Sequence, residues 1–211
     1  MNGRLGGSAG IAFALLYFLA LFGVLNLPEG VDSDAEVVRL VAGDDERTRA
    51  ILGVLLLGAS GLSFLVFLAA LITRLRSAGG GALTILAGAA GTVFVTMLFV
   101  ATACFGVLPL ATSLDELPDE PSAELARVLT QLGFVALLLL GLSAAGTFVL
   151  AASVAGHRSR ALPRWLVWTG FVIGPLLFFG AFWIPQLLLL VWAAVAGVAL
   201  MQAGPAHVPD R

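Results

Sequence analysis

Hydrophobic positions in this chain gather into six long blocks, and polar positions gather into the segments between them. A helix needs about 20 apolar residues to cross the hydrocarbon core of a bilayer. The length of the blocks therefore predicts six transmembrane helices. The predicted spans are residues 8–27, 50–73, 82–108, 128–155, 165–182 and 185–201. The two longest connections are residues 28–49 and 109–127.

The composition supports this interpretation. Of the 211 residues, 60% are hydrophobic and only 11% are charged, whereas a soluble domain carries about 25% charged residues. A membrane segment must satisfy its own backbone hydrogen bonds, and a helix does so. We therefore expect an all-α, polytopic membrane protein with a single domain over residues 1–211. The first block is long for the apolar region of a signal peptide, so we expect it to be retained as a span.

The charged residues divide the connections into two classes. Alternate segments, from the N-terminus to the C-terminal tail, hold seven arginines and one acid, Asp210. Segment 27–49 holds seven acids and three arginines, and segment 109–127 holds five acids and one arginine. Because arginine concentrates in cytoplasmic loops, we expect both termini to be cytoplasmic and both acidic loops to lie outside.

The basic residues also bear on the source of the protein. All eleven are arginine, and the chain is rich in alanine, glycine, leucine and valine. This usage suggests a GC-rich bacterial genome. We therefore expect the protein to lie in the bacterial cytoplasmic (plasma) membrane.

Local signals predict how several elements begin and end. Residues 33–36 match a capping box and predict a short helix on the outer membrane surface. Ser122 is expected to start a helix that runs into the fourth span, and the acids at 44–46 suit the start of the second. Pro175 is expected to kink the fifth span in its middle. Only residues 180–185 separate the last two spans, which predicts a tight hairpin.

The outer acids offer one candidate cation site. Asp32, Asp34 and Glu36 alternate like part of a calcium-binding loop. However, Val37 stands where such a loop needs glycine, and Gly43 stands where it ends in glutamate. We therefore expect a solvated acidic surface that faces a partner, with no resident metal or other cofactor.

The segment Gly58-Ala59-Ser60-Gly61 resembles the serine motif of rhomboid intramembrane proteases. Such a protease needs a general base, normally a histidine, within hydrogen-bond reach of the serine. The two histidines, His157 and His207, lie outside the predicted spans, and no span holds an Asp, Glu, Lys, Arg or His. Intramembrane ionisable residues usually mark proton and ion pathways. We therefore expect neither an enzyme nor a proton-coupled pump, and assign Ser60 and Gly61 to helix packing.

Small and hydroxyl-bearing residues recur at helical spacing in three other spans. The third span carries Thr84, Gly88, Thr92 and Thr96, the fourth carries Ser143 and Thr147, and the fifth carries Gly170 and Gly174. Small residues let helices approach closely, so helix packing is the first interpretation. The alternative is that the hydroxyl stripes of the third and fourth spans face each other and line a route for a small polar solute or a lipid headgroup.

Residues 158–165 form the most basic segment of the chain. Arg158, Arg160 and Arg164 precede Trp165 at the predicted inner membrane boundary. Anionic lipids attract basic residues at about 1 kcal/mol each, so these four residues are candidates for contact with inner-leaflet lipid. The alternative is that the arginines only set the topology.

The same segment carries a resemblance. Arg160, Trp168, Gly170 and the run Leu162-Pro163-Arg164-Trp165-Leu166 resemble the start of the penultimate helix in uncharacterised multi-pass membrane proteins that are common in actinobacteria. The acidic stretch 44–49, which enters the second span, is similar to theirs. The resemblance implies a compact six-helix membrane protein, and it brings no activity, cofactor or catalytic residue.

These observations favour a non-enzymatic protein that works through contacts. Its partners would be the lipid bilayer and another membrane or extracytoplasmic protein, or a second copy of the chain, but not nucleic acid. The alternative is binding or transport of a small neutral solute or lipid within the helix bundle.

Overall fold

The computed structural model describes residues 3–24, 43–114, 122–179 and 183–202, and all regular structure in these ranges is helical. We number the α-helices in chain order. They are α1 (Gly3–Val24), α2 (Asp44–Ser77), α3 (Gly81–Ser113), α4 (Ala123–Phe134), α5 (Leu142–Ser159), α6 (Arg164–Leu176) and α7 (Trp183–Gln202). A π-helical segment, Val135–Gly141, joins α4 to α5, and a 3₁₀ turn, Leu177–Phe179, follows α6. The predicted all-α class is confirmed.

Five helical segments of the described chain are long and apolar enough to cross a membrane. They are Gly3–Gly23, Asp45–Ser77, Gly81–Ser113, Ala123–Ser159 and Ile184–Gln202. The predicted fifth span instead forms a shorter apolar helix, Arg164–Phe179. At 1.5 Å per residue its length is roughly 24 Å, below the ~30 Å of the hydrocarbon core. Among the described residues, five of the six predicted helices are therefore long enough to span the bilayer, and the sixth is a shorter apolar helix.

Pro175 lies close to the end of α6 rather than in the middle of a span. Its ring lacks the N–H that would bond the carbonyl of Phe171, and it crowds that carbonyl. The backbone then tightens into the 3₁₀ turn Leu177–Phe179. The expected mid-span kink is therefore the end of a helix, and residues 180–182 of the predicted hairpin lie outside the described chain.

Two helices extend beyond their predicted spans. α2 begins at Asp44, where carboxylates favour a helix N-terminus, and carries Arg74 and Arg76 in its last turn, where cations are favoured. α3 continues through Pro109 to Ser113. The connections on both sides are therefore shorter than the sequence predicted.

Ser122 starts α4, as the sequence predicted. Its hydroxyl accepts a hydrogen bond from the backbone N–H of Leu125 at 3.2 Å, and Glu124 occupies the first turn. This side-chain cap satisfies one of the free N–H groups at the helix start. The predicted surface helix after residues 33–36, and the calcium-like acids at 32–36, lie outside the described residues.

The helices close into a ring whose neighbours run antiparallel. α1 packs between α2 and α7, α3 lies beside α2, the α4–α5 span lies between α3 and α6, and α6 contacts α7. Gly6 lies against Ala70 and Gly23 against Gly53, which sets α1 antiparallel to α2. Because neighbours alternate, the starts of α1, α3 and α6 share one end of the bundle with the ends of α2, α5 and α7.

Aromatic rings from five helices fill the centre of this ring. The centroid of Phe64 lies 4.9 Å from those of Phe13 and Phe94 and 5.5 Å from that of Phe148. Trp192 of α7 extends the group, with its ring 5.7 Å from Phe148. All four pairs meet edge to face, a geometry worth about 0.5–1.5 kcal/mol per pair beyond area burial. We call these five side chains the aromatic hub.

Candidate functional site

Ser60 and Gly61 lie on the buried face of α2. The Ser60 hydroxyl donates a 2.7 Å hydrogen bond to the carbonyl of Leu57 in its own helix. A Cβ at Gly61 would come 2.7 Å from a methyl carbon of Leu98, so this glycine lets α3 approach closely. His157 is exposed in the last turn of α5. Ser60 is thus buried, with its hydroxyl proton bonded to backbone, next to a glycine at the contact with α3.

The hydroxyl stripe of α3 does not keep to one face of the helix. Thr84 is buried and Gly88 half-buried, whereas Thr92 and Thr96 are exposed. Residues four apart on an α-helix are rotated by about 40° from each other, so three such steps carry the stripe from the bundle interior to its outer surface. The Thr92 and Thr96 hydroxyls bond the carbonyls of Gly88 and Thr92 at 2.9 and 3.0 Å.

The matching stripe of the fourth span lies at a helix boundary. Ser143 and Thr147 are half-buried, and their hydroxyls donate to the carbonyls of Leu139 and Ser143 at 2.6 and 3.0 Å. Thr92 is exposed on the outer surface of the bundle. The hydroxyls of Thr92, Ser143 and Thr147 bond carbonyls of their own helices, whereas the Thr84 hydroxyl is buried with no hydrogen-bond partner among the described residues. The alternative interpretation, that the two stripes line a route for a small polar solute or a lipid headgroup, stays a prediction.

The glycines of α6 lie at its contact with α5. A Cβ at Gly174 would come 2.5 Å from the branch carbon of Leu150, and a Cβ at Gly146 would come 2.7 Å from the Gly174 carbonyl. A Cβ at Gly170 would overlap the hydroxyl of Ser153. Both glycines of the predicted pair therefore lie at the contact between α5 and α6, where a Cβ would meet α5 atoms.

Ser153 and Trp192 form a buried polar pair that the sequence analysis missed. Both side chains are buried, and within the described chain neither the Ser153 hydroxyl nor the Trp192 indole nitrogen has a hydrogen-bond partner. The two atoms converge on Gly170: its Cβ would overlap the hydroxyl and lie 3.1 Å from the indole nitrogen. Ser153 lies off the four-residue stripe of α5, so periodicity gave no signal for it.

A second buried polar contact joins the first helix to the last. The Tyr17 hydroxyl donates a 3.1 Å hydrogen bond to Oε1 of Gln186, and both side chains are buried. Polar side chains that bond across helices stabilise membrane bundles. In the sequence, the tyrosine and the glutamine are isolated polar residues in two different apolar blocks. Periodicity within a block does not predict that they contact each other.

The arginine end of the bundle comprises Arg4, Arg74, Arg76, Arg158, Arg160 and Arg164. The antiparallel order brings these residues to the same end. One hydrogen bond joins the end of α2 to the α5–α6 turn: Nε of Arg74 donates to the carbonyl of Ala161 at 2.9 Å. The α5–α6 turn is further held by Leu162, which packs on Gly156. Trp165 and Trp168 are exposed at the start of α6.

The acidic end lies opposite, where α2 and α4 begin and α3 ends. Its described acids are Asp44, Asp45, Glu46 and Glu124, and Arg47, Arg49 and Arg127 lie among them. Among the residues that the structure places, no three His, Cys, Asp or Glu side chains gather into a metal-ligating group. Charge is therefore mixed at this end, whereas the described arginine end carries a single sign.

Comparison with known proteins gives no match: no family model, no curated protein and no solved structure is significantly similar to this chain. The class therefore follows from the fold. An all-helical bundle with five helices that can cross a membrane, and with large apolar side chains on its outer surface, is a multi-pass membrane protein in contact with lipid. The resemblance at residues 160–170 stays a prediction.

Proposed function

We propose that this protein is not an enzyme and acts through contacts with other membrane or extracytoplasmic proteins, or with a second copy of itself. The observation that carries the proposal is the division of the molecule into an apolar centre and two charged ends. The aromatic hub fills the centre with interlocked rings from five helices. The charged residues that could contact a partner protein lie at the two ends of the bundle.

Three hydroxyls inside the bundle support the same proposal, whereas those of Thr84 and Ser153 have no hydrogen-bond partner among the described residues. Ser60, Thr102 and Thr147 donate to carbonyls of their own helices. A nucleophile needs a base that takes its proton, and a solute pathway needs polar groups turned toward the solute. Hydroxyls bonded to backbone supply neither, so these three residues favour a protein whose partner contacts lie at its ends.

The acidic end is the surface that we propose for the partner. It would face outward, with both termini in the cytoplasm of a bacterium, because arginine-rich segments stay cytoplasmic. Asp45 and Glu124 are exposed there, and the sequence adds eight acids in residues 27–43 and 109–121. A basic surface on the partner would complement this charge.

Photo-crosslinking in the native membrane tests this proposal. A photoreactive residue is placed at Asp45 or Glu124 at the acidic end and, as a matched control, at exposed Ser77 at the other end. We expect a discrete protein adduct from the acidic positions only, which is lost when Glu46 is replaced by arginine. Equal labelling from Ser77, or no adduct from the acidic end, would count against the proposal.

A second candidate function has one observation in its favour. Ser153 and Trp192 present a hydroxyl and an indole N–H that converge beside Gly170 with no partner among the described residues. Such a pair could hold the oxygen of a small neutral solute or of a lipid ester. Native mass spectrometry of the gently extracted protein separates the candidates: a bound small molecule lost in Ser153→Ala favours this one, and a stoichiometric second protein favours the first.

A further inference from the structure

The cations of the arginine end have no carboxylate to neutralise them within the described chain. The acids in the described ranges are Asp44, Asp45, Glu46 and Glu124, and all four lie at the opposite end of the bundle. Within the described residues, no carboxylate therefore offsets the mutual repulsion among these arginines. An anion from outside would relieve this repulsion.

Arg74 is held in place rather than free. Its Nε–H is fixed to the Ala161 carbonyl at 2.9 Å, and its side chain is half-buried between the end of α2 and the α5–α6 turn. This bond uses one of the five N–H donors of the guanidinium. The remaining donors have no partner in the described chain and are held in a planar fork that suits phosphate oxygens.

Arg160 occupies a backbone position that favours glycine. It caps α5 with φ 54° and ψ 25° and is the one non-glycine residue with positive φ in the described chain. A residue with a Cβ in this region costs roughly 1–2 kcal/mol. The fold carries this strain at an exposed arginine that lies between exposed Arg158 and Arg164 in the sequence. Backbone strain that persists beside like charges points to a role for the side chain.

Trp165 and Trp168 locate these arginines relative to a membrane. Their indoles are 51% and 63% exposed in the first turns of α6, and exposed tryptophans favour the headgroup level of a bilayer. In a bilayer whose headgroups surround these tryptophans, Arg160 and Arg164 would lie close to the lipid phosphates. Large apolar side chains on the outer helix faces can hold acyl chains below them.

We infer that the arginine end binds the headgroups of anionic phospholipids, with Arg74, Arg160 and Arg164 as its principal contacts. The ligand chemistry is a phosphate diester with net negative charge, held by guanidinium forks and anchored by its acyl chains. This inference goes beyond the proposed partner contact and does not depend on it, because it concerns the opposite end of the bundle.

The test is native mass spectrometry of the purified full-length protein in detergent, where membrane orientation plays no part. The protein is given an equimolar mixture of phosphatidylglycerol and phosphatidylcholine with identical acyl chains. We expect about tenfold or greater preference for phosphatidylglycerol. We expect this preference to fall roughly fivefold in each of three variants, Arg74→Gln, Arg160→Gly and Arg164→Gln, because one arginine near an anionic surface contributes about 1 kcal/mol.

One control variant and the choice of glycine at position 160 make the test specific. Arg49→Gln removes an exposed arginine at the acidic end and should leave the preference unchanged. Arg160→Gly relieves the left-handed strain, so lipid loss in this variant does not come from a damaged fold. Equal retention of the two lipids, an effect of Arg49→Gln as large as that of Arg74→Gln, or displacement of the lipid by excess inorganic phosphate would overturn the inference.

Discussion

The ring of Phe64 lies edge to face against the ring of Phe94, with 4.9 Å between the centroids and 70° between the planes. This pair joins α2 to α3 at the centre of the bundle. The Phe64 ring also meets Phe13 and Phe148, so a single side chain of α2 contacts three other helices. In a bilayer, where helix association draws on packing rather than on the hydrophobic effect, such contacts dominate stability.

Replacement of Phe64 by alanine should therefore destabilise the whole bundle. We expect the free energy of unfolding to fall by about 3–5 kcal/mol, because the vacated volume is enclosed by rings that cannot collapse into it. Denaturant titration in detergent micelles measures this change. Leu62→Ala is the matched control on the same helix: its side chain is 61% exposed, and its effect should stay within about 0.5 kcal/mol. Similar losses in both variants would contradict the central role of Phe64.

The contact between Gly23 and Gly53 leads to a second prediction. A Cβ at Gly53 would lie 2.9 Å from the Cα of Gly23, and backbone at that distance cannot move aside as a side chain can. Gly53→Ala should lower the free energy of unfolding by about 1–3 kcal/mol, the range typical of overpacking, by forcing α1 away from α2.

Gly58, also on α2, is the control for this substitution. A Cβ there would meet only a Thr102 methyl at 3.7 Å, which is an ordinary contact. Gly58→Ala should be neutral or stabilising by up to about 1 kcal/mol, because alanine favours the helix. Thermal unfolding in detergent compares the two variants, and a Gly53→Ala protein that melts with or above the Gly58→Ala protein would count against the close approach.

Thr84 and Thr92 of the α3 stripe should respond differently to replacement by leucine. Thr92 is exposed, so Thr92→Leu should change the free energy of unfolding by less than about 0.5 kcal/mol. Thr84 is buried beside Gly80, so Thr84→Leu should cost about 1–3 kcal/mol through overpacking. Equal costs measured by denaturant titration would show that Thr92 lies inside the bundle after all.

The α3 stripe illustrates which features could be predicted from the sequence and which could not. Charge-free apolar blocks predicted the helices, and the Ser122 signal predicted the start of α4, because both depend on local chemistry. A spacing of four residues could not tell which face Thr92 takes, since the stripe winds around the helix. Residues 135–141, Val-Ala-Leu-Leu-Leu-Leu-Gly, likewise contain no feature that distinguishes π from α geometry.

The candidate sites were partly predictable for the same reason. The arginines of residues 158–164 were found because they are close in sequence, and the glycine pair of α6 because its spacing is short. The bond from Arg74 to Ala161 spans 87 positions, and the aromatic hub draws one ring from each of five helices. Such contacts depend on the order in which helices pack, which no local pattern encodes.

The hydrogen bond between Tyr17 and Gln186 offers the sharpest test of that packing order, because it closes the ring between the first helix and the last. A double-mutant cycle of Tyr17→Phe and Gln186→Leu removes the bond from either side. Coupling energies of interhelical hydrogen bonds in membranes average about 0.6 kcal/mol and reach about 1.7. With both side chains buried, we expect a value in the upper half of that range. Gln131→Leu, an exposed glutamine in α4, should show no coupling to Tyr17→Phe. Additive losses in the Tyr17 and Gln186 variants, measured by denaturant titration, would mean that α1 and α7 do not meet at these residues.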